Sequence, residues 1–135
     1  MLKLIAFILM FIHSAISHAE TPPEIQGVWV PDVEKTIVLM KKNMGDIDSA
    51  FMRDRYLPNL KRTITQNKYI HTNGKREYTA DISLKEKNGS RFIMVLTSEL
   101  TPDMLITFTP KEKDGYIMMS ENPSDGSGNI LWVKQ

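Results

Sequence analysis

The chain has no cysteine, which removes disulfides, thiol nucleophiles, cysteine-based zinc sites and redox chemistry together. Histidine is nearly as scarce. Of the three present, His13 and His18 belong to an N-terminal apolar segment, and only His71 lies beyond it. One imidazole and no thiolate cannot build an ordinary zinc site. No G-x-S-x-G elbow supplies a serine nucleophile, and no glycine-rich loop opens a helix to cradle phosphate. His71 adjoins Asn73-Gly74 and is expected to be an exposed turn residue. No pair of carboxylates is singled out for acid–base work, so the chain reads as a non-enzyme without cofactor or metal. Asp125-Gly126-Ser127-Gly128-Asn129 lacks the ligand order and distal glutamate of a calcium loop and reads as a plain connection.

An excess of charge of either sign is also missing: the formal net charge is +1. Lys3 is the single charged residue of positions 1–19, so the remainder carries 16 basic and 16 acidic groups. That balance argues against nucleic acid as a partner. The charges are unevenly spread, with 10 basic and 4 acidic residues between positions 53 and 91 and acidic excess on both sides. This basic middle suits an anionic surface such as lipid head groups or an envelope polymer, but solvated strand edges or pairing with the acidic flanks are the favoured reading.

What is present begins with a targeting pattern. Lys3 precedes nine apolar residues, Leu4 to Ile12, and Ser17-His18-Ala19 puts small residues at −3 and −1. This is the three-part form of a secretory signal, with cleavage expected between Ala19 and Glu20. The apolar run is far short of the about 20 residues of a membrane span. No cysteine follows the cleavage site, so no lipid anchor is expected. Residues 1–19 are therefore read as a signal peptide and 20–135 as one domain, periplasmic or secreted, held together by packing alone.

The periodicity of that domain is mostly two. Ile25–Val30 reads as a first strand ended by Pro31. Asp32 is placed to cap a helix running to about Met44, with Val33, Ile37, Met40 and Met44 on one face and Gly45 at its end. A weaker helical piece follows from Asp48 to Leu57, with Ala50, Phe51 and Leu57 inward and Pro58 closing it. After Leu60 come about six strands joined by short turns. Asn73-Gly74 and Asn88-Gly89 suit two-residue type I′ hairpins. Tyr78, Ala80, Ile82 and Leu84 alternate with polar residues, the mark of a half-buried strand. Phe92–Leu96 is apolar throughout, as for a strand covered on both faces. The turns at Thr101-Pro102-Asp103 and Lys113-Asp114-Gly115 lead into strands at Met104–Thr109 and Tyr116–Met119, and Ile130–Val133 is the last. Short links require sequential antiparallel pairing. The expected fold is mainly β (α+β): an N-terminal strand, one or two helices, then a six-stranded antiparallel meander. That meander forms a small barrel or a strongly curved sheet.

Gly27-Val28-Trp29, followed by Asp32, a helix and the meander, resembles the G-x-W signature and element order of small exported bacterial lipocalin-like domains. The resemblance implies a β-barrel with an apolar cup for a small hydrophobic ligand or lipid. Trp29 and Trp132, on the first and last strands, would be neighbours in a closed barrel and would seal one end of its core. With Met40 and Met44 on the helix they are the candidate ligand-binding residues. Methionine as adaptable core filler explains the thioethers more simply than copper binding.

A second reading needs no ligand. A small, exported, catalytically blank domain also suits a periplasmic inhibitor or immunity-type protein that binds and blocks an enzyme. Its candidate contacts are Arg53, Arg55, Lys61 and Arg62 in the basic stretch and Asp125 in the polar loop 122–129. The interior discriminates between the two. An open apolar cavity favours a ligand, and a solid core moves function to the surface and to a protein partner.

Overall fold

The computed structural model describes residues 20–122 and 126–135. The expected signal segment with its cleavage site, and Asp125, lie outside the described residues.

Eight antiparallel strands close into a barrel in simple sequence order. They are β1 (Gly27–Pro31), β2 (Leu60–Ile64), β3 (Lys68–Asn73), β4 (Arg76–Asn88), β5 (Arg91–Thr97), β6 (Met104–Lys111), β7 (Gly115–Ser120) and β8 (Leu131–Lys134). Closure is made by β1 on β8, with Val30 opposite Val133 and Pro31 opposite Trp132. A closed barrel has no free edge, which removes the hazard of edge-to-edge association.

The helices connect β1 to β2. Helix α1 (Val33–Met44) starts where the Asp32 carboxylate accepts the Lys35 backbone N–H, and it stops at Gly45 with φ of 81°. Thr36, Ile37 and Met40 form its buried face. The wholly buried Thr36 hydroxyl accepts the backbone N–H of Leu131 and thereby pins the helix to β8. Helix α2 is one turn, Ser49–Phe51, capped by Asp48, and continues as a π-turn over Met52–Tyr56 and a 3₁₀ turn over Leu57–Asn59.

Several expectations are corrected. Seven strands follow the helices rather than six, because the stretch 60–73 is two strands folded at Thr65-Gln66-Asn67. That turn contains no glycine or proline. The Thr65 hydroxyl and the Lys68 carbonyl hold it instead, accepting from the Lys68 and Thr65 backbone N–H groups at 3.0 and 2.9 Å. The two Asn-Gly hairpins form, but one residue out of register. Asn73 pairs with Arg76 and Asn88 with Arg91, so Gly74 and Gly89 take the first central position. Both have positive φ and the residues after them do not, the pattern of type II′ rather than I′. In β5, Phe92, Met94 and Leu96 are buried while Ile93 and Val95 are only half-buried, so the strand is covered on one face. In the second helical piece Ala50 and Phe51 face solvent. The π-turn bonds Leu57 N–H to Met52 C=O, and the core is met by Met52, Tyr56 and Leu57.

Inward residues of all eight strands meet the buried face of α1 in one core. Met94, Phe108, Met118 and Trp132 have no exposed surface at all, and Trp29, Ile64 and Leu96 have about 1%. A void large enough for water would leave accessible surface on the side chains lining it, so none touches these residues. The middle of the barrel is filled by side chains.

Candidate binding surfaces and the interior polar cluster

Alternation along β1 turns Trp29 inward, where its indole N–H donates to the Ile25 carbonyl at 2.9 Å. Tyr116 meets the ring edge-on at 5.5 Å and the Lys134 ammonium lies 5.4 Å from its centroid. Together they floor an external cleft of about 490 Å³ between the Pro23–Ile25 turn, the β6–β7 hairpin and the end of β8. Glu24, Lys113, Asp114 and Lys134 border it. Burial and the charge of Glu24 push the Tyr116 phenol above its ordinary range.

Trp132 lies on β8 beside β1, so the first and last strands are neighbours and both indoles are buried. Met40 is also buried in the core. Met44 is not part of any interior surface, being 51% exposed. The last turn of α1 has rotated past the barrel there, and its residues 41–44 are all exposed.

The basic stretch is dispersed. Arg53 grips the Glu34 carboxylate on α1 with Nε and Nη2 at 2.6 and 3.2 Å. That contact lowers the Glu34 pKa and raises that of Arg53. Arg55 and Lys61 are exposed. Arg62 is not a surface residue at all: it retains 9% of its accessible surface, inside the barrel. Period two explains this, since Leu60, Arg62 and Ile64 share the inward face of β2.

Within the barrel Arg62 Nε donates to His71 Nδ1 at 3.1 Å, and Nη1 donates to the Met118 carbonyl at 3.3 Å. Its guanidinium carbon lies 4.4 Å from the Trp132 ring centroid and 5.7 Å from that of Tyr69. His71 packs edge-on against the same indole at 6.3 Å. It is therefore an inward, half-buried residue of β3 rather than an exposed turn residue. Desolvation, aided by the Arg62 charge, lowers its pKa to about 4, so at neutral pH Nδ1 is free to accept and the proton sits on Nε2.

The outer surface carries a second kind of feature. In an up-and-down barrel the β1–β2, β3–β4, β5–β6 and β7–β8 connections emerge at one end. Four large apolar residues are exposed in two of those connections: Val38, Met44 and Phe51 before β2, and Leu100, 93% exposed, before β6. Met119, near the same end of β7, is a fifth. The sequence gives Leu100 one mark, as a lone leucine between Ser98-Glu99 and Thr101-Pro102-Asp103 where a turn has no core to reach. Beside α1, Val38, Leu39 and Leu131 line a groove of about 390 Å³, across which Lys35 pairs with Glu112 at 2.6 Å.

Fold and surface together define a small closed β-barrel with a filled interior. Comparison with family models, with curated proteins and with solved structures finds no match.

Proposed function

We propose that this chain is an exported, non-catalytic binding protein of the inhibitor or immunity type, which engages a protein partner through its helix-bearing end. The observation that carries this reading is the pairing of a filled barrel with large apolar side chains exposed in the connections of one end. A contiguous apolar patch in solvent marks protein contact, and these side chains share the connections of one end. The filled interior favours a surface partner over an apolar ligand of lipid size. Within this reading Arg55 and Lys61 remain available as polar rim contacts, whereas Arg53 is engaged by Glu34.

The test places a photo-crosslinking residue at Leu100, at Phe51 or, as a control on a hairpin of the opposite end, at Ser90. The protein is expressed in its own host so that it meets its own compartment. Leu100 and Phe51 are expected to give the same discrete adduct with one protein, absent at Ser90, and Leu100→Asp should abolish co-elution of the purified pair. Equal labelling at all three positions, or adducts only between copies of this chain, would contradict the reading.

A further inference from the structure

Ile37, Val38, Leu39 and Met40 stand in a row on α1. A helix turns about 100° per residue, so such a run reaches most of the way round it and exceeds any single packed face. Ile37 and Met40 point into the barrel, whereas Val38 is left 67% exposed with Leu39 half-buried beside it. Folding gives no reason for a valine in solvent there, since a β-branched side chain forms helix less well than the lysines around it. Val38 and Leu39 instead line the groove of about 390 Å³ that continues onto Leu131. The charges round this groove do not balance once their pairing is followed. Both of its carboxylates are engaged, Glu34 by Arg53 and Glu112 by Lys35. Lys42, one turn beyond Val38, and Lys111, at the end of β6, are exposed and have no carboxylate partner among the described residues. What results is an apolar slot flanked by two free cations and by no free anion.

We propose that the groove between α1 and the β6–β7 hairpin takes an acidic segment of the protein partner. One or two apolar side chains enter against Val38, Leu39 and Leu131, and flanking carboxylates meet Lys42 and Lys111. This rests on the partner reading above and adds the chemistry of what is bound. Charge complementarity sets the sign of the occupant. The Lys35–Glu112 ion pair ties the two walls together across the groove, so the slot fits side chains rather than the unbroken length of a lipid chain.

In the experiment the photo-crosslinking residue is placed at Val38, and the adduct is digested and sequenced by mass spectrometry. Val38 should capture the same protein as Leu100 and Phe51, through a peptide of net negative charge that carries apolar residues. On the purified pair, Lys42→Glu together with Lys111→Glu should weaken binding by on the order of 10-fold at low ionic strength, chiefly through slower association, and by less in high salt. Arg91→Glu, beside Ser90 on the opposite hairpin, should leave binding unchanged. Lys42, Lys111 and Arg91 are all exposed, so these variants keep the fold. A Val38 adduct that maps to a neutral or basic peptide, to a lipid or to a second copy of this chain would overturn the proposal, as would unchanged affinity in the double variant. Capture at Leu100 and Phe51 with none at Val38 overturns the groove alone. No capture at any of the three positions removes the partner reading with it.

Discussion

Arg62 Nε donates to His71 Nδ1 at 3.1 Å inside the barrel, tying β2 to β3 through a bond that only a neutral imidazole can accept. The pKa of His71 falls from 6.5 to about 4 in the folded chain, so the unfolded chain takes up the proton first. Stability from the neutral ring is complete above about pH 7 and is lost as pH falls from 6.5 towards 4. Allowing for partial exposure, the loss is about 1–2 kcal/mol. Urea unfolding at about pH 7.5 and about pH 4.5 should show wild type losing this much more than His71→Gln. Equal losses would show that the imidazole does not titrate with unfolding.

Gly115 has no room for a side chain. A Cβ there would meet Leu131 Cδ1 at 2.7 Å and the Lys111 carbonyl oxygen at 2.9 Å. The carbonyl belongs to the paired strand and cannot swing away. Gly115→Ala should therefore cost about 1–3 kcal/mol by overpacking, whereas Gly128→Ala, whose Cβ would meet only the end of the flexible Met119 side chain at 3.1 Å, should cost less than about 1 kcal/mol. Chemical denaturation of the two variants provides the comparison, and a milder effect at Gly115 would contradict the packing described for β7 and β8.

Thr36 carries the attachment of α1. Thr36→Val keeps the shape but leaves the Leu131 N–H without its acceptor, at a cost of about 1–3 kcal/mol. Lys35→Ala removes an exposed, solvent-screened ion pair to Glu112 and should leave stability nearly unchanged. Hydrogen exchange at Leu131 should accelerate in the first variant and not in the second.

Residues whose placement departs from the sequence expectation do so for identifiable reasons. The antiparallel meander and the first helix were legible from period two, short links and the Asp32 and Gly45 helix stops, because each depends on local chemistry. Closure into a barrel rather than a curved sheet depends instead on the long-range pairing of β1 with β8. The turn at Thr65–Asn67 was not legible, since side-chain hydroxyl capping replaces the glycine that usually announces a hairpin. Arg62 shows two rules in conflict. Alternation with Leu60 and Ile64 places it inside, whereas its charge places it outside, and only the aromatic and carbonyl partners supplied by β3, β7 and β8 decide the matter. Met44 follows the helical spacing of Ile37 and Met40 but outruns the barrel that the face packs on. Of the candidate ligand residues, Trp29, Met40 and Trp132 are core, and the exposed Leu100 is marked only by standing alone among turn residues.

A filled barrel leaves the proposed partner to be met at the surface. Native mass spectrometry of the protein, purified without denaturant from the compartment where it accumulates, tests this most directly. The predicted spectrum shows the chain free of any lipid-sized adduct and, in part, in complex with one polypeptide whose binding is lost in Leu100→Asp. A stoichiometric lipid-sized mass that persists through native purification and disappears on organic extraction would contradict it.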